Sequence, residues 1–177
     1  MLLLSPTDNL INQVVNTMNK FSHFDENGKA VMVDISDKPV TKRSAVAVGR
    51  IYVSPEIFTA VKNGTAKKGD VLGTARLAGI MAAKKTSDII PLCHPIPISN
   101  ISVDFTLEAD NLSIYVQSEA RTTGQTGIEM EVLHAVSVSL LTIYDMCKAI
   151  DHSMKIADIH LIYKDGGKTG IYDTGER

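Results

Sequence analysis

Residues 124–150, reading GQTGIEMEVLHAVSVSLLTIYDMCKAI, constrain the fold more than any other part of the chain. Ile128, Val132, Leu133, Val136, Leu140, Leu141, Ile143 and Tyr144 recur at steps of three and four, which predicts a helix with a broad buried face. Its charges gather at the two ends. Glu129 and Glu131 fall in the first turn, where the positive end of the helix dipole favours carboxylates. Lys148 falls near the last turn, where a cation is favoured. Asp145 breaks that rule, and a local rule broken inside an otherwise consistent helix points to function. Glu131 and Asp145 lie roughly 21 Å apart on a straight helix while pointing nearly the same way. One small molecule does not span them on a single chain. If both serve one site, a second chain supplies one of them, so an oligomeric site is expected.

Around this helix the other elements follow from shorter signals. Residues 1–20 open on Ser5-Pro6 and continue with helix-spaced Leu10, Ile11, Val14, Val15 and Met18, which reads as an extension forming a short helix. Residues 21–177 then form a single domain. Asp25-Glu26-Asn27-Gly28 marks a turn, and residues 30–35 a brief strand. Residues 41–53 are rich in Val and Ile and read as a strand. Ser54 then caps a helix with Pro55 at its first position, ending near Asn63-Gly64. Residues 69–85 form a further helix, capped by Asp70, with an apolar face through Leu72, Ala75, Leu77, Ile80 and Ala83. Its small residues would let another element approach closely. Residues 87–99 are irregular, with three prolines fixing the backbone. Residues 98–108 and 112–119 alternate about a polar turn and read as a hairpin. Residues 154–163 form a last strand, followed by a glycine-rich tail. The mixture predicts an α+β fold: an antiparallel sheet with helices on one face and the other open for a partner subunit.

Composition excludes several classes. The chain has 177 residues, 44% hydrophobic and 21% charged, the profile of a soluble globular protein. A net charge of −2 gives no bulk electrostatic reason to invoke nucleic acid. Cys93 and Cys147 are too few for a disulfide framework, and no CxxC is present. No apolar run reads as a membrane span, and residues 1–4 are too short for a signal peptide, so a cytoplasmic protein is the default.

Four constellations carry potential chemistry. Lys67-Lys68-Gly69-Asp70 precedes a helix start; it reads either as a solvated basic turn or as an anion site built on Lys68 and free helix N–H groups. Pro91-Leu92-Cys93-His94-Pro95 holds a thiol and an imidazole in a stiff loop, as in either a packed loop or a preorganised pocket wall. Cys93, His94 and Cys147 lack zinc-ligand spacing, so no metal is expected. Lys164 and Lys168 flank two glycines, which suits either a flexible tail or closure over a polyphosphate. Gly124-Gln125-Thr126-Gly127 leads into the long helix in the same way, while Arg43 and Arg121 read as surface or paired arginines. Together these residues are equipped for acid–base chemistry on an anionic substrate.

The segments KKGDVLGTARLAGIMAAKKTSDIIPLCHPIPIS, TGIEMEVLHAVSVSLLTIYDMCKA and KDGGKTG closely resemble the cyclic pyranopterin monophosphate synthases, the MoaC family of molybdenum cofactor biosynthesis. The resemblance runs from about Phe21 to the tail. It implies a lyase that converts 3′,8-cyclo-7,8-dihydro-GTP to cyclic pyranopterin monophosphate and pyrophosphate. It implies catalytic roles for Asp145, Lys68 and Lys148, and substrate contacts from Leu92, Cys93, His94, Met130 and Glu131. Glu129, Arg43, Lys164 and Lys168 match further polar residues of the family's pocket. A ferredoxin-like subunit is implied, assembled as a hexamer (a trimer of dimers) with active sites at subunit interfaces. No cofactor is required, though Mg²⁺ with the triphosphate is left open. One position departs: the family commonly has GKTG before the long helix, and Gln125 stands here in place of the lysine. A non-catalytic pterin- or nucleotide-binding module is the alternative, and a Cys-His metal hydrolase a third reading.

Overall fold

The structure is a computed structural model that describes residues 23, 25, 27–168 and 170–176. The chain divides into two units, Met1–Ile35 and Ser36–Arg177. In the first, Asp25 Oδ1 accepts from the backbone N–H groups of Asn27 and Lys29 at 2.9 and 2.8 Å, forming the expected turn. The strand expected over residues 30–35 does not form. Ala30 makes an isolated bridge and residues 31–35 are irregular, with Val31 and Met32 exposed. The expected N-terminal helix lies outside the described residues.

The second unit contains β1 (Thr41–Tyr52), α1 (Pro55–Asn63), α2 (Val71–Ala83), α3 (Thr86–Ile89), β2 (Ile98–Glu108), β3 (Ser113–Gly124), α4 (Glu129–Cys147), β4 (Lys155–Asp165) and β5 (Tyr172–Asp173). The strands lie in the order β2-β3-β1-β4-β5, every pair antiparallel. The three helices α1–α3 carry the chain from β1 across to β2, and α4 carries it from β3 to β4. Leaving out β5, this is the β-α-β-β-α-β ferredoxin-like arrangement, an α+β fold.

Capping explains where α1 and α2 begin. Ser54 Oγ accepts from Ile57 N at 3.4 Å with Pro55 in the first turn, and Asp70 Oδ1 accepts from Gly73 N at 2.8 Å. Packing decides the rest. Along α4, Ile128, Val132, Ala135, Val136, Ser139, Leu140, Ile143 and Cys147 are buried at helical spacing, facing Ala45, Ala47, Ile114 and Ala120 of the sheet. Gly49 brings the helix down onto β1, because a Cβ there would sit 2.8 Å from Val136 Cγ1. The expected close approach to α2 is made at Gly79, which lies against Ser139 and Ala135, and Ser139 Oγ donates to Ala75 O at 3.1 Å. By length and composition α4 could cross a membrane, contrary to the expectation from the sequence, but four of its large residues are fully buried and it is the core helix. Val46, Val48 and Ile162, with Tyr115 and Tyr163, form a smaller cluster on the other face of the sheet.

Leu77 is 60% exposed; the buried side of α2 runs instead through Val71, Ala75, Gly79, Ala82 and Ala83. The strand β3 continues past Glu119 to Gly124, since Ala120 and Thr122 prolong the alternation of buried positions. Both α3 and β5 are too short to leave a periodic signal in the sequence.

Candidate active site

Helix α4 places functional side chains at each end. At its C-terminal end, Asp145 meets Lys68, which sits on the turn before α2. Lys68 Nζ donates to the Asp145 backbone oxygen at 2.9 Å and to Oδ2 at 3.0 Å, while Lys148 Nζ lies 2.8 Å from Oδ1. Two of the three Lys68 donors are thereby committed, which fixes the direction of the third. Lys148 above all, and then Lys68, hold the Asp145 carboxyl below its usual range, and Asp145 in turn raises Lys148. About half of each side chain is exposed, and ion pairs of that kind contribute little to stability. The cluster accounts for the misplaced carboxylate: two lysines offset the unfavourable helix dipole.

At the N-terminal end, the start of β1, the β3–α4 turn, the end of β4 and the glycine-rich tail enclose a cavity of about 430 Å³. Its wall includes Lys38, Arg43, Gln125, Glu129, Lys164 and Lys168. Lys164 Nζ lies 3.3 Å from Glu129 Oε1, and Arg43 Nη2 donates to the Gln125 carbonyl at 3.3 Å. Four cations against one carboxylate leave the wall positive. Thr41 Oγ1 and Arg43 Nε, two buried polar atoms of this wall, have no hydrogen-bond partner among the described residues. Gly166 and Gly167 adopt φ of 101° and 84°. A Cβ on Gly166 would lie 2.5 Å from the Lys42 carbonyl oxygen, and one on Gly167 would meet Arg43 Nη1. Only glycine lets the tail lie this close to β1.

In the first turn of α4, Glu131 is 3% exposed. Burial pushes its carboxyl up to about 7, and the neighbouring Glu129 charge adds to the effect. The Cys93 thiol is raised by burial and by the Glu131 charge, so the proline-bounded loop lies near this part of the helix. Leu92 and His94 are half-buried beside Cys93, and Met130 is 38% exposed. Arg121 pairs with Glu119 at 2.7 Å. Among the described residues, no group of three or more His, Cys, Asp or Glu side chains is placed to hold a metal ion.

Seven of the expected site residues thus form two groups on one chain, while Leu92, Cys93, His94, Met130 and Glu131 belong to neither. Lys68, Asp145 and Lys148 are in direct contact; Arg43, Glu129, Lys164 and Lys168 share the cavity. The length of α4 separates them. Lys38 and Thr41 also belong to the cavity wall, and no motif marks them in the sequence. A half-exposed Lys–Asp–Lys cluster and a cationic cavity on a ferredoxin-like sheet define the equipment of an enzyme for an anionic substrate.

The chain belongs to the MoaC family, whose sequence model matches residues 32–167. That span holds every expected site residue except Lys168. The chain is 59% identical to a cyclic pyranopterin monophosphate synthase of Clostridium botulinum over 154 residues, covering 87% of this chain and 97% of the relative. Proteins of the same name from Dinoroseobacter shibae and a Thermoanaerobacter species are 53% and 54% identical, covering 88% and 86% of this chain and 99% and 96% of their own lengths.

Proposed function

We infer that this chain is a cyclic pyranopterin monophosphate synthase. It converts 3′,8-cyclo-7,8-dihydro-GTP to cyclic pyranopterin monophosphate and pyrophosphate, a lyase step in molybdenum cofactor biosynthesis. The observation that carries this reading is the Lys68–Asp145–Lys148 cluster. Rearranging a purine into a pterin moves protons on and off ring nitrogens, and Lys68, with one oriented donor left, is built to deliver one. Asp145 holds that lysine in place through its backbone oxygen and its carboxylate. Glu131, with its carboxyl near 7, both accepts and donates a proton at neutral pH.

Formation of the cyclic phosphate is the second demand. A ribose-derived hydroxyl attacks the α-phosphorus, a P–O bond forms, the bond to the β-phosphate breaks and pyrophosphate leaves with the electron pair. Arg43, Lys164 and Lys168 line the cavity that would hold the triphosphate and stabilise the departing charge. Glu129 holds Lys164, and Leu92, Cys93, His94 and Met130 complete the contacts to the ring system. Electrons balance without a redox partner, so the reaction needs no flavin, nicotinamide or iron–sulfur group. Mg²⁺ accompanying the triphosphate is compatible with this scheme. A cytoplasmic reaction is compatible with a substrate derived from GTP.

One substrate cannot bridge both ends of α4 on one chain, so the site is assembled from two: the Lys68 cluster of one protomer faces the cavity of another. A hexamer built as a trimer of dimers satisfies this requirement. The test is to supply enzymatically made cyclo-dihydro-GTP and measure pyrophosphate together with the oxidised pterin product. Equal release of both is expected. Binding without release would make the chain a pterin- or nucleotide-binding module instead.

A further inference from the structure

His134, a half-buried residue of α4, has no part in the chemistry proposed for either end of that helix. Its Nδ1 lies 3.2 Å from Oγ1 of Thr86, the first residue of α3, which is 1% exposed. The hydroxyl has a single proton, and that proton is directed back to the Ala83 carbonyl at 3.0 Å, with the Ala82 carbonyl at 3.4 Å. Towards His134 the oxygen therefore accepts, and Nδ1 is the nitrogen that carries the proton of the neutral ring. Two backbone hydrogen bonds carry this contact onward to the proline-bounded loop. Ile90 N donates to Thr86 O at 2.8 Å, and Cys93 N donates to Ile90 O at 3.1 Å. Helix α3 has four residues, a single turn that cannot fix its own position. Its anchor has to come from outside. On α4, His134 follows Met130 by four residues and Glu131 by three, so these side chains are neighbours on successive turns. The strip from Thr86 to Cys93 thus meets α4 twice, at His134 and near Glu131, whose charge reaches the Cys93 thiol.

We propose that His134 is a positioning residue: by donating from Nδ1 to Thr86 it holds the loop of residues 91–95 against α4, and so sets the wall that Cys93 and His94 present to the substrate. The inference rests on the reading of Cys93, His94 and Met130 as contacts to the ring system. Such a wall recognises a ligand only when a supporting shell locks it in place. Pro91 and Pro95 stiffen the loop, so a shift at Thr86 is passed along to Cys93 and His94 rather than absorbed between them. Without the imidazole, the Thr86 oxygen loses its donor and α3 loses its tie to the long helix.

Two measurements on the assembled protein test this, one of them without any turnover. Alkylation of Cys93 by iodoacetamide reads the loop directly, because the other cysteine, Cys147, is 1% exposed. In the parent, burial and the Glu131 charge raise the Cys93 thiol and keep it slow to react. His134→Ala is expected to speed alkylation about tenfold and to raise KM for cyclo-dihydro-GTP about tenfold, with kcat within about twofold of the parent. A side chain needed only for folding would instead lower kcat through loss of active protein and leave KM alone. His134→Asn, whose amide nitrogen takes the place of Nδ1, is expected to restore both values. His134→Gln, whose amide reaches the place of Nε2, is expected to restore neither. That pair gives the same decision if His134→Ala does not fold. Equal behaviour of the two amides would overturn the proposal. Unchanged Cys93 reactivity in His134→Ala, in a protein that turns over cyclo-dihydro-GTP, would sink it while leaving the enzymatic reading intact. Faster Cys93 alkylation in His134→Ala, reversed by His134→Asn in a protein without turnover, would uphold the anchor and sink the enzymatic reading.

Discussion

Lys68→Ala and Asp145→Asn are each expected to lower turnover by about 10³-fold while leaving the assembled protein folded. The size of the loss follows from what each group does. Lys68 Nζ is aimed by two hydrogen bonds to Asp145, one to its backbone and one to its carboxylate. Truncating the lysine removes the proposed proton donor outright. Replacing Asp145 by asparagine keeps the shape but removes the charge that raises Lys148 and pairs with Lys68. The effect on stability should be small, because these side chains are half-exposed and such pairs add little. Pyrophosphate release and thermal melting, measured on the same preparations, separate the two effects. A near-normal rate in either variant would remove that residue from the mechanism.

Glu131→Gln is expected to move activity and stability in opposite directions. Turnover should fall by about 10²-fold, since glutamine cannot exchange a proton. Stability should rise at alkaline pH. The folded-state carboxyl titrates at about 7, above its ordinary 4.5, so between those values the folded protein holds a proton that the unfolded chain has released. Stability therefore falls as pH rises through this window, reaching a cost of about 3 kcal/mol above pH 7. Glutamine carries no such cost. At pH 8 the variant should melt several degrees higher than the parent, and at pH 4 the difference should vanish. A difference independent of pH would show that Glu131 is not the buried ionising group described here. In the parent enzyme the same group should give the rate profile a limb near pH 7 that is absent in the variant.

Local signals made much of this molecule legible from sequence. The Ser54-Pro55 start, the Asp70 cap and the helical spacing in residues 128–147 each mark an element with an unambiguous physical preference, and each appears where expected. The dipole misfit at Asp145 correctly singled out a carboxylate with two cationic partners. What stayed hidden depends on contacts between distant segments. Leu77 fits a buried helical face by spacing, yet α2 turns its small residues inward because α4 packs against Gly79. Val31 and Met32 read as strand but lie exposed in an irregular stretch. Lys38 lies in an irregular stretch, so only the fold reveals that it shares a wall with Lys164, far along the sequence. Burial of Glu131 could be suspected from its apolar neighbours, but the size of its shift required the packed helix.

The separation of the two groups of site residues along α4 leaves one question above the others: whether they act on the same substrate molecule. Lys68→Ala and Glu131→Gln proteins, each nearly inactive alone, should be dissociated, mixed in equal amounts and reassembled. If each site takes its Lys68 cluster from one chain and its Glu131 from another, about a quarter of randomly assembled sites regain both groups. Activity should recover to about that fraction of the parent's. Verified mixed oligomers with no recovered activity would contradict a site shared between two chains.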